Sequence, residues 1–386
     1  GHLPGARPFP LAWFDLLEDD ALRAALAEKG ASAATPVVVY GHGDNDGALA
    51  AERLMRLGLP RAHVLGGGQL AWAAERTRPV SRLDRWWHLV HPHWLRDVLT
   101  GTPTVAPPTR EYVLAHVNYD HAAEYRRGHI PGAIHLSTLA LEEPDFWNRR
   151  TPAELTEALC AHGIRHDSTV VLYGRTGEPS MEQDHPGMEA GQIAAMRAAA
   201  ILLYAGVRDV RVLDGGLNAW QREGGAVVTE PTPPTPVSDF GAEVPARPEI
   251  MVDLEEAREI LAAPDGELVS IRSWSEFIGE VSGYHYVLPR GRIDGAVFGN
   301  CGSDAYHMQN YRNCDGTMRD HEEIAARWRE VGVVPEKRLA FYCGTGWRGS
   351  EAFFCAWLMG WDRAAVYDGG WYEWSDDARN PMATGI

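Results

Sequence analysis

One unit recurs three times along the 386 residues, and this repeat constrains the fold more than any single motif. Its first signal is Gly-His-Leu-Pro-Gly-Ala at residues 1–6 and Gly-His-Ile-Pro-Gly-Ala at 128–133, with a divergent copy, Gly291-Arg292-Ile293-Asp294-Gly295-Ala296. The second is a short apolar run ending in tyrosine: Val37-Val38-Val39-Tyr40, Val170-Val171-Leu172-Tyr173 and Leu339-Ala340-Phe341-Tyr342. Each run leads through a loop into a helical pattern, over 48–57, 192–204 and 350–359. The third is a Gly-Gly turn with tryptophan beyond: Gly66-Gly67 with Trp72, Gly215-Gly216 with Trp220, and Gly369-Gly370 with Trp371 and Trp374. Tyrosine and turn stand 27 residues apart in the first and third copies and 42 in the second, so the middle copy carries an insertion, placed at 177–191.

Short β-branched and aromatic runs bounded by glycine read as strands. Their lack of alternation predicts strands covered on both faces, as in a parallel sheet. Strands alternating with helices give βαβ units. The expected fold is therefore α/β, with three tandem domains, each a parallel β-sheet flanked by helices. The boundaries are read as domain 1 at 1–80, domain 2 at 81–228, a linker at 229–248 with six prolines, and domain 3 at 249–386. Domain 1 opens inside its own repeat and is expected to be incomplete at its N-terminus.

Composition narrows the partners. The net charge of −17 disfavours nucleic acid and anionic membranes, whose phosphates would be repelled. No stretch reaches the roughly 18 apolar residues of a membrane span; the nearest, 193–207, is interrupted by Arg197. Five scattered cysteines, Cys160, Cys301, Cys314, Cys343 and Cys355, form no disulfide framework and fit a reducing cytoplasm. His88, His91 and His93 lie close together, but Pro92 breaks their spacing and no acidic or cysteine ligand pairs with them, so no metal is expected. The glycines at 66–68 lack the distal acid of a dinucleotide site and read as a turn.

The three signals together resemble the rhodanese superfamily of sulfurtransferases over essentially the whole chain. That resemblance implies a catalytic cysteine in a tight loop between a strand and a helix N-terminus. Only the third copy supplies it. After the strand tyrosine the copies read Gly41-His42-Gly43-Asp44, Gly174-Arg175-Thr176-Gly177 and Cys343-Gly344-Thr345-Gly346-Trp347-Arg348. Domains 1 and 2 are thus expected to be catalytically silent, packing on domain 3 and walling its cleft. Arg272 is retained before the active copy, where Ser270 replaces the family's usual Asp.

The loop has the chemistry to use Cys343. Thiolate is the working form of cysteine, and an unperturbed thiol is mostly protonated at neutral pH. Gly344 and Gly346 let the backbone curl so that successive N–H groups face one anion. The helix is expected to begin near Ser350, with Glu351 in its first turn and its positive end at the same centre. Arg348 is expected to add a full positive charge. It stands five residues after the cysteine, against six in cysteine-based phosphatases; the tighter ring suits a single sulfur atom. Gly344, Thr345, Gly346, Trp347 and Arg348 thus read as a persulfide-binding loop. Cys355, among Phe353, Phe354 and Leu358, reads as core, as does Cys160; Cys301 and Cys314 are candidate sulfur relays or disulfide partners.

The Gly-Thr-Gly-Trp-Arg loop and the segment from Ser282 to Met308 are similar to those of the single-step, anaerobic-type ergothioneine synthases. That resemblance implies that a Cys343 persulfide gives its sulfur to imidazole C2 of hercynine, the Nα-trimethyl betaine of histidine, with no separate cofactor. Tyr284 is then the first candidate for general acid, with Tyr286 second. Asp304 is a candidate for a ring N–H, Tyr306 and Trp347 for the trimethylammonium through cation–π attraction, and Tyr342, Thr345 and Arg272 for lining the site. Polysulfide, thiosulfate or a persulfidated protein would donate the sulfur. Two alternatives stay open: a thiosulfate or 3-mercaptopyruvate sulfurtransferase, and a persulfide carrier or sensor without turnover. A closed aromatic pocket beside Cys343 favours the first reading, an open cationic cleft at Arg348 and Arg272 the second, and an exposed Cys343 the third.

Overall fold

The structure is a computed structural model, described here for residues 1–41, 43–75, 77–109, 111–119, 122–176 and 191–386. The expected insertion at 177–191 lies outside the described residues apart from Gly191. The chain forms two compact units, Gly1–Leu83 and Asp84–Ile386.

The first unit contains a two-stranded parallel sheet, Val37–Val39 with Ala62–Val64, joined through helix Asp44–Arg56. Leu22, Leu26 and Leu54 form its small core. The second unit contains two five-stranded, wholly parallel sheets with one topology. The first runs Leu89–Val90, Asp209–Leu213, Thr169–Tyr173, Tyr112–Asn118, Ile134–Ser137 in spatial order. The second runs Met251–Val252, Ala364–Tyr367, Arg338–Tyr342, Gly266–Ser270, Val297–Phe298. In both, the strand ending in the repeat tyrosine is central, and all five residues of Thr169–Tyr173 are buried, as covered faces require.

The repeat signals recur together because they touch. The tyrosine hydroxyl accepts the amide of the third residue of the Gly-His turn: Tyr40 from Leu3 at 3.0 Å and Tyr173 from Ile130 at 2.9 Å. In the third copy the Tyr342 hydroxyl faces the Ile293 amide at the same place, short of hydrogen-bond geometry. The Gly-Gly turn in turn presses on the loop after the strand; in the first copy the pair that does so is Gly67-Gly68, one residue beyond the expected Gly66-Gly67. A Cβ would stand 2.6 Å from Gly41 O at Gly68, 2.5 Å from Gly174 O at Gly216, and 2.5 Å from Thr345 O at Gly370. All three glycines also have positive φ, so only glycine fits there without strain.

Domains 2 and 3 pack through helices Gly191–Ala205 and Trp347–Leu358. Every residue of both is buried, so the apolar stretch at 193–207 is a core helix up to Ala205, and no helix among the described residues is long and apolar enough to cross a membrane. Helix Trp347–Leu358 starts three residues earlier than expected, so Glu351 is not in its first turn; Glu351 instead pairs with Arg312, whose Nε is 2.7 Å away. The proline-rich segment is pinned to domain 2: Phe240 is buried, the Val237 amide donates to Cys160 O, and the Arg247 amide donates to Tyr204 O.

Candidate active site

Cys343 stands just past the C-terminal end of the central strand Arg338–Tyr342 and is fully buried. Two contacts from the Gly-Gly turn hold its loop: the Trp371 amide donates to Cys343 O at 2.9 Å and the Tyr372 amide to Gly344 O at 2.8 Å. With these carbonyls tied outward, the loop amides stay available. Among the described residues, the N–H groups of Gly344, Thr345, Gly346, Trp347 and Arg348 find no acceptor. Two of them, Trp347 and Arg348, open helix Trp347–Leu358, and Gly346 caps it; unpaired donors and the helix dipole there favour an anion. One carbonyl faces inward: Thr345 O accepts both the Cys343 amide, at 3.1 Å, and the Cys343 thiol, at 2.9 Å. That contact belongs to the protonated thiol.

Arg348 does not act as a free charge on the loop. Its guanidinium is buried and grips Glu276 with two bonds of 3.0 and 2.9 Å. Nη1 also donates to Cys301 Sγ at 3.0 Å, and Nη2 to the Tyr284 hydroxyl at 3.0 Å. The expected full positive charge is therefore largely neutralised by a carboxylate absent from the sequence reading. Glu276 caps the short helix Trp274–Phe277 through a capping box with Ser273. Burial opposes its ionisation, yet Arg348 and Arg272 hold its carboxyl down at about 2.

Arg272 is a brace, which corrects its expected substrate role. It is fully buried, and its three nitrogens donate to Glu276 Oε1, Gly291 O and Ser282 O. Tyr342 is corrected likewise: its hydroxyl points into the domain 3 core beside Ser270 and Ile293.

Tyr284 lies directly on the loop. Its ring is stacked with Tyr286, centroids 5.2 Å apart, and meets Tyr306 edge-on at 5.8 Å. Its hydroxyl accepts from Arg348 and faces Ala305 O at 3.3 Å. Burial, with the negative charge of a Cys343 thiolate added, pushes its phenol well above the usual range, so the proton stays on oxygen at neutral pH. A 380 Å³ pocket reaches this tyrosine; Glu276, Ser282, Tyr284, Asp304 and Tyr306 are among its lining residues. Asp304 accepts from the Tyr306 amide at 2.9 Å and sits 2.6 Å from His307 Nδ1.

The second domain supplies residues that sequence reasoning missed. Tyr286 stacks on Trp147 at 4.9 Å, and Tyr119 lies 6.1 Å from the Trp347 ring. Trp147 holds φ 58°, a left-handed conformation unusual for a bulky residue. The Trp347 indole donates to Glu142, at 3.0 and 3.1 Å from its two oxygens, and Arg197 Nε reaches the same carboxyl at 2.9 Å. Burial outweighs these partners and lifts the Glu142 carboxyl to about 7.

The other cysteines divide. None of the five is in a disulfide. Cys355 is core as expected, Cys160 is only half-buried, Cys314 is exposed, and Cys301 is fully buried against Arg348. The histidines have local roles: His88 Nδ1 lies 2.7 Å from Val210 O, and His91 caps helix Pro92–Thr100.

The sequence model of the Rhodanese-like domain matches residues 1–75, 116–223 and 253–377. The chain is 41% identical over 387 residues to the thiosulfate sulfurtransferase YnjE of Escherichia coli (strain K12), covering 100% of this chain and 84% of that protein. The crystal structure of the anaerobic ergothioneine biosynthesis enzyme from Chlorobium limicola, holding its natural substrate trimethyl histidine, superposes with a TM-score of 0.96 at 45% identity, covering 100% of this chain and 90% of that one. A variant of EanB, with its cysteine persulfide in a tetrahedral intermediate state with ergothioneine, matches at 44% identity, TM-score 0.96 and the same coverage. The tyrosine replaced in that variant precedes the persulfide cysteine by 59 residues. Other EanB variants alter a threonine two residues after it, and cysteines 73 and 42 residues before it.

Proposed function

The chain belongs to the rhodanese family of sulfurtransferases, and from that premise we propose that it moves the sulfane sulfur of a Cys343 persulfide to imidazole C2 of hercynine, giving ergothioneine. The observation that carries this reading is Tyr284 lying on Gly344 with its hydroxyl held by Arg348. Tyr284 precedes Cys343 by 59 residues and Thr345 follows it by two, the spacings of the altered EanB positions. Cys301 likewise falls 42 residues before Cys343, whereas the position 73 before it holds Ser270.

The reaction balances without an oxidant. The C2–H bond breaks, a C2–S bond forms to the outer sulfur, and the S–S bond breaks with Cys343 leaving as thiolate. The persulfide proton and the C2 proton redistribute between the thiol and the ring nitrogen. Loop amides stabilise the charge on the sulfur that departs. Tyr284, kept neutral by burial, is the proton donor and acceptor at the ring. Tyr284 and Tyr306, both lining the pocket, and the Tyr286–Trp147 stack beside them are the aromatic faces suited to a trimethylammonium, at about 0.5–2 kcal/mol per contact.

Thiosulfate chemistry, the activity named for the E. coli relative, asks for an accessible cationic cleft. Here Arg348 and Arg272 are enclosed and paired with Glu276, which favours the neutral aromatic acceptor. A carrier role asks for an exposed thiol, and Cys343 has no exposed surface. Polysulfide, thiosulfate and a persulfidated protein are the candidate donors.

The test is incubation with polysulfide and hercynine, with the thione read by mass spectrometry. Thione formed by the wild type and lost in Cys343→Ala supports the reading. A verified Cys343 persulfide that yields no thione but converts cyanide to thiocyanate overturns it in favour of the thiosulfate-type activity.

A further inference from the structure

Arg197 belongs to the silent second domain, yet its guanidinium ends at the third domain's loop. It sits on helix Gly191–Ala205 and is fully buried. Two of its nitrogens are anchored: Nε on Glu142 at 2.9 Å, and Nη2 on Trp147 O and Asp368 Oδ1, both at 2.6 Å. The third, Nη1, is buried without an acceptor. A Cβ on Gly346 would stand 2.4 Å from that atom. A buried guanidinium nitrogen left without a partner is costly, and this one is directed at the loop beside Cys343.

We propose that Arg197 is a positioning residue of the Cys343 site, supplied by domain 2, whose unpartnered Nη1 biases the Thr345–Gly346 stretch toward the anionic form of Cys343. The proposal rests on the reading of Cys343 as the persulfide carrier. It gives the silent domain a part in the chemistry and gives Gly346 a second reason to be glycine: any side chain would displace the guanidinium. The charges around Arg197 are arranged for this. Asp368 is shared with Arg149, whose Nη1 is 2.8 Å from it. Glu142 is shared with the Trp347 indole and also faces Thr138, and burial keeps it from being a full charge near neutrality. The cluster of Arg149, Arg197, Asp368 and Glu142 is thus left with positive charge toward the loop, which an anion on Cys343 completes.

The experiment measures the pH dependence of Cys343 alkylation, by mass spectrometry of the Cys343 peptide, in the full chain. Arg197→Met should raise the apparent thiol titration by about half a unit or more, slowing alkylation at pH 7 about three-fold. Glu142→Gln removes the partial counter-charge that Glu142 carries near pH 7, which becomes full at higher pH, while keeping the shape, and should shift the titration the opposite way. A purely structural role would move both variants in the same direction. Arg197→Lys, which keeps the charge, should recover part of the loss. If Arg197→Met fails to fold, the Glu142→Gln shift decides alone. Shifts of the same sign, or none in the folded variants, overturn the proposal. Alkylation needs no hercynine, so failure of the acceptor assignment would not disturb this result.

Discussion

A Cβ placed on Gly344 would stand 2.0 Å from Cε2 of Tyr284. The phenol ring therefore rests on the backbone of the loop that carries Cys343, with no room for even a methyl group between them. Gly344→Ala must push Tyr284 away. Thione formation should fall by at least about ten-fold, whereas persulfide loading of Cys343 should change less; mass spectrometry separates the two. Equal loss of both would show that the ring only packs the loop.

Tyr284→Phe keeps that packing and removes only the hydroxyl. Arg348 retains its two bonds to Glu276, so the fold should hold. The imidazole step should slow by about 10²-fold or more, the range for a lost general acid or base, with persulfide loading within about two-fold of wild type. A single-turnover assay from preformed persulfide reads this directly, and an unchanged rate removes Tyr284 from the proton path.

Glu276 predicts an acid-sensitive fold. Its carboxyl falls from 4.5 when unfolded to about 2 when folded. Its contribution is fully present above pH 4.5 and is lost as pH falls toward 2. The gap in melting temperature between wild type and Glu276→Gln should therefore close across that window. At neutral pH, Glu276→Ala leaves Arg272 and Arg348 buried without their carboxylate, a loss of about 3–5 kcal/mol, measurable by urea unfolding.

Glu142 predicts the opposite sign. Its carboxyl rises from 4.5 when unfolded to about 7 when folded. The stability it gives is complete below pH 4.5 and disappears as pH climbs through about 7. The melting temperature of Glu142→Gln should therefore be less pH-dependent than wild type between pH 5 and about 8. Parallel curves would refute the assignment.

The repeat was legible because it is built from short-range rules. A strand covered on both faces is a run of apolar residues, and a turn that presses on carbonyls must be glycine; both leave marks in consecutive letters. Cys343 was legible for the same reason, since glycines around a cysteine at a strand end describe a curled loop. Tyr284 came from resemblance, and the ring contact that supports its role joins residues 60 positions apart. The helix start was misplaced because Trp347, Arg348 and Gly349 read as loop. The domain 3 packing on helix Gly191–Ala205 draws them into the helix instead.

Local patterning thus determined the parallel sheets, the repeated loops and the place of Cys343 at the end of a central strand, because each follows from backbone preferences over a few residues. Which charges surround the Cys343 loop was decided only in three dimensions. Arg348 turns to Glu276, Arg272 to Gly291 and Ser282, and Arg197 crosses from domain 2 to Gly346. A sequence records that these side chains are charged. Burial then requires each to find partners, and those partners lie on other segments that only folding brings within reach.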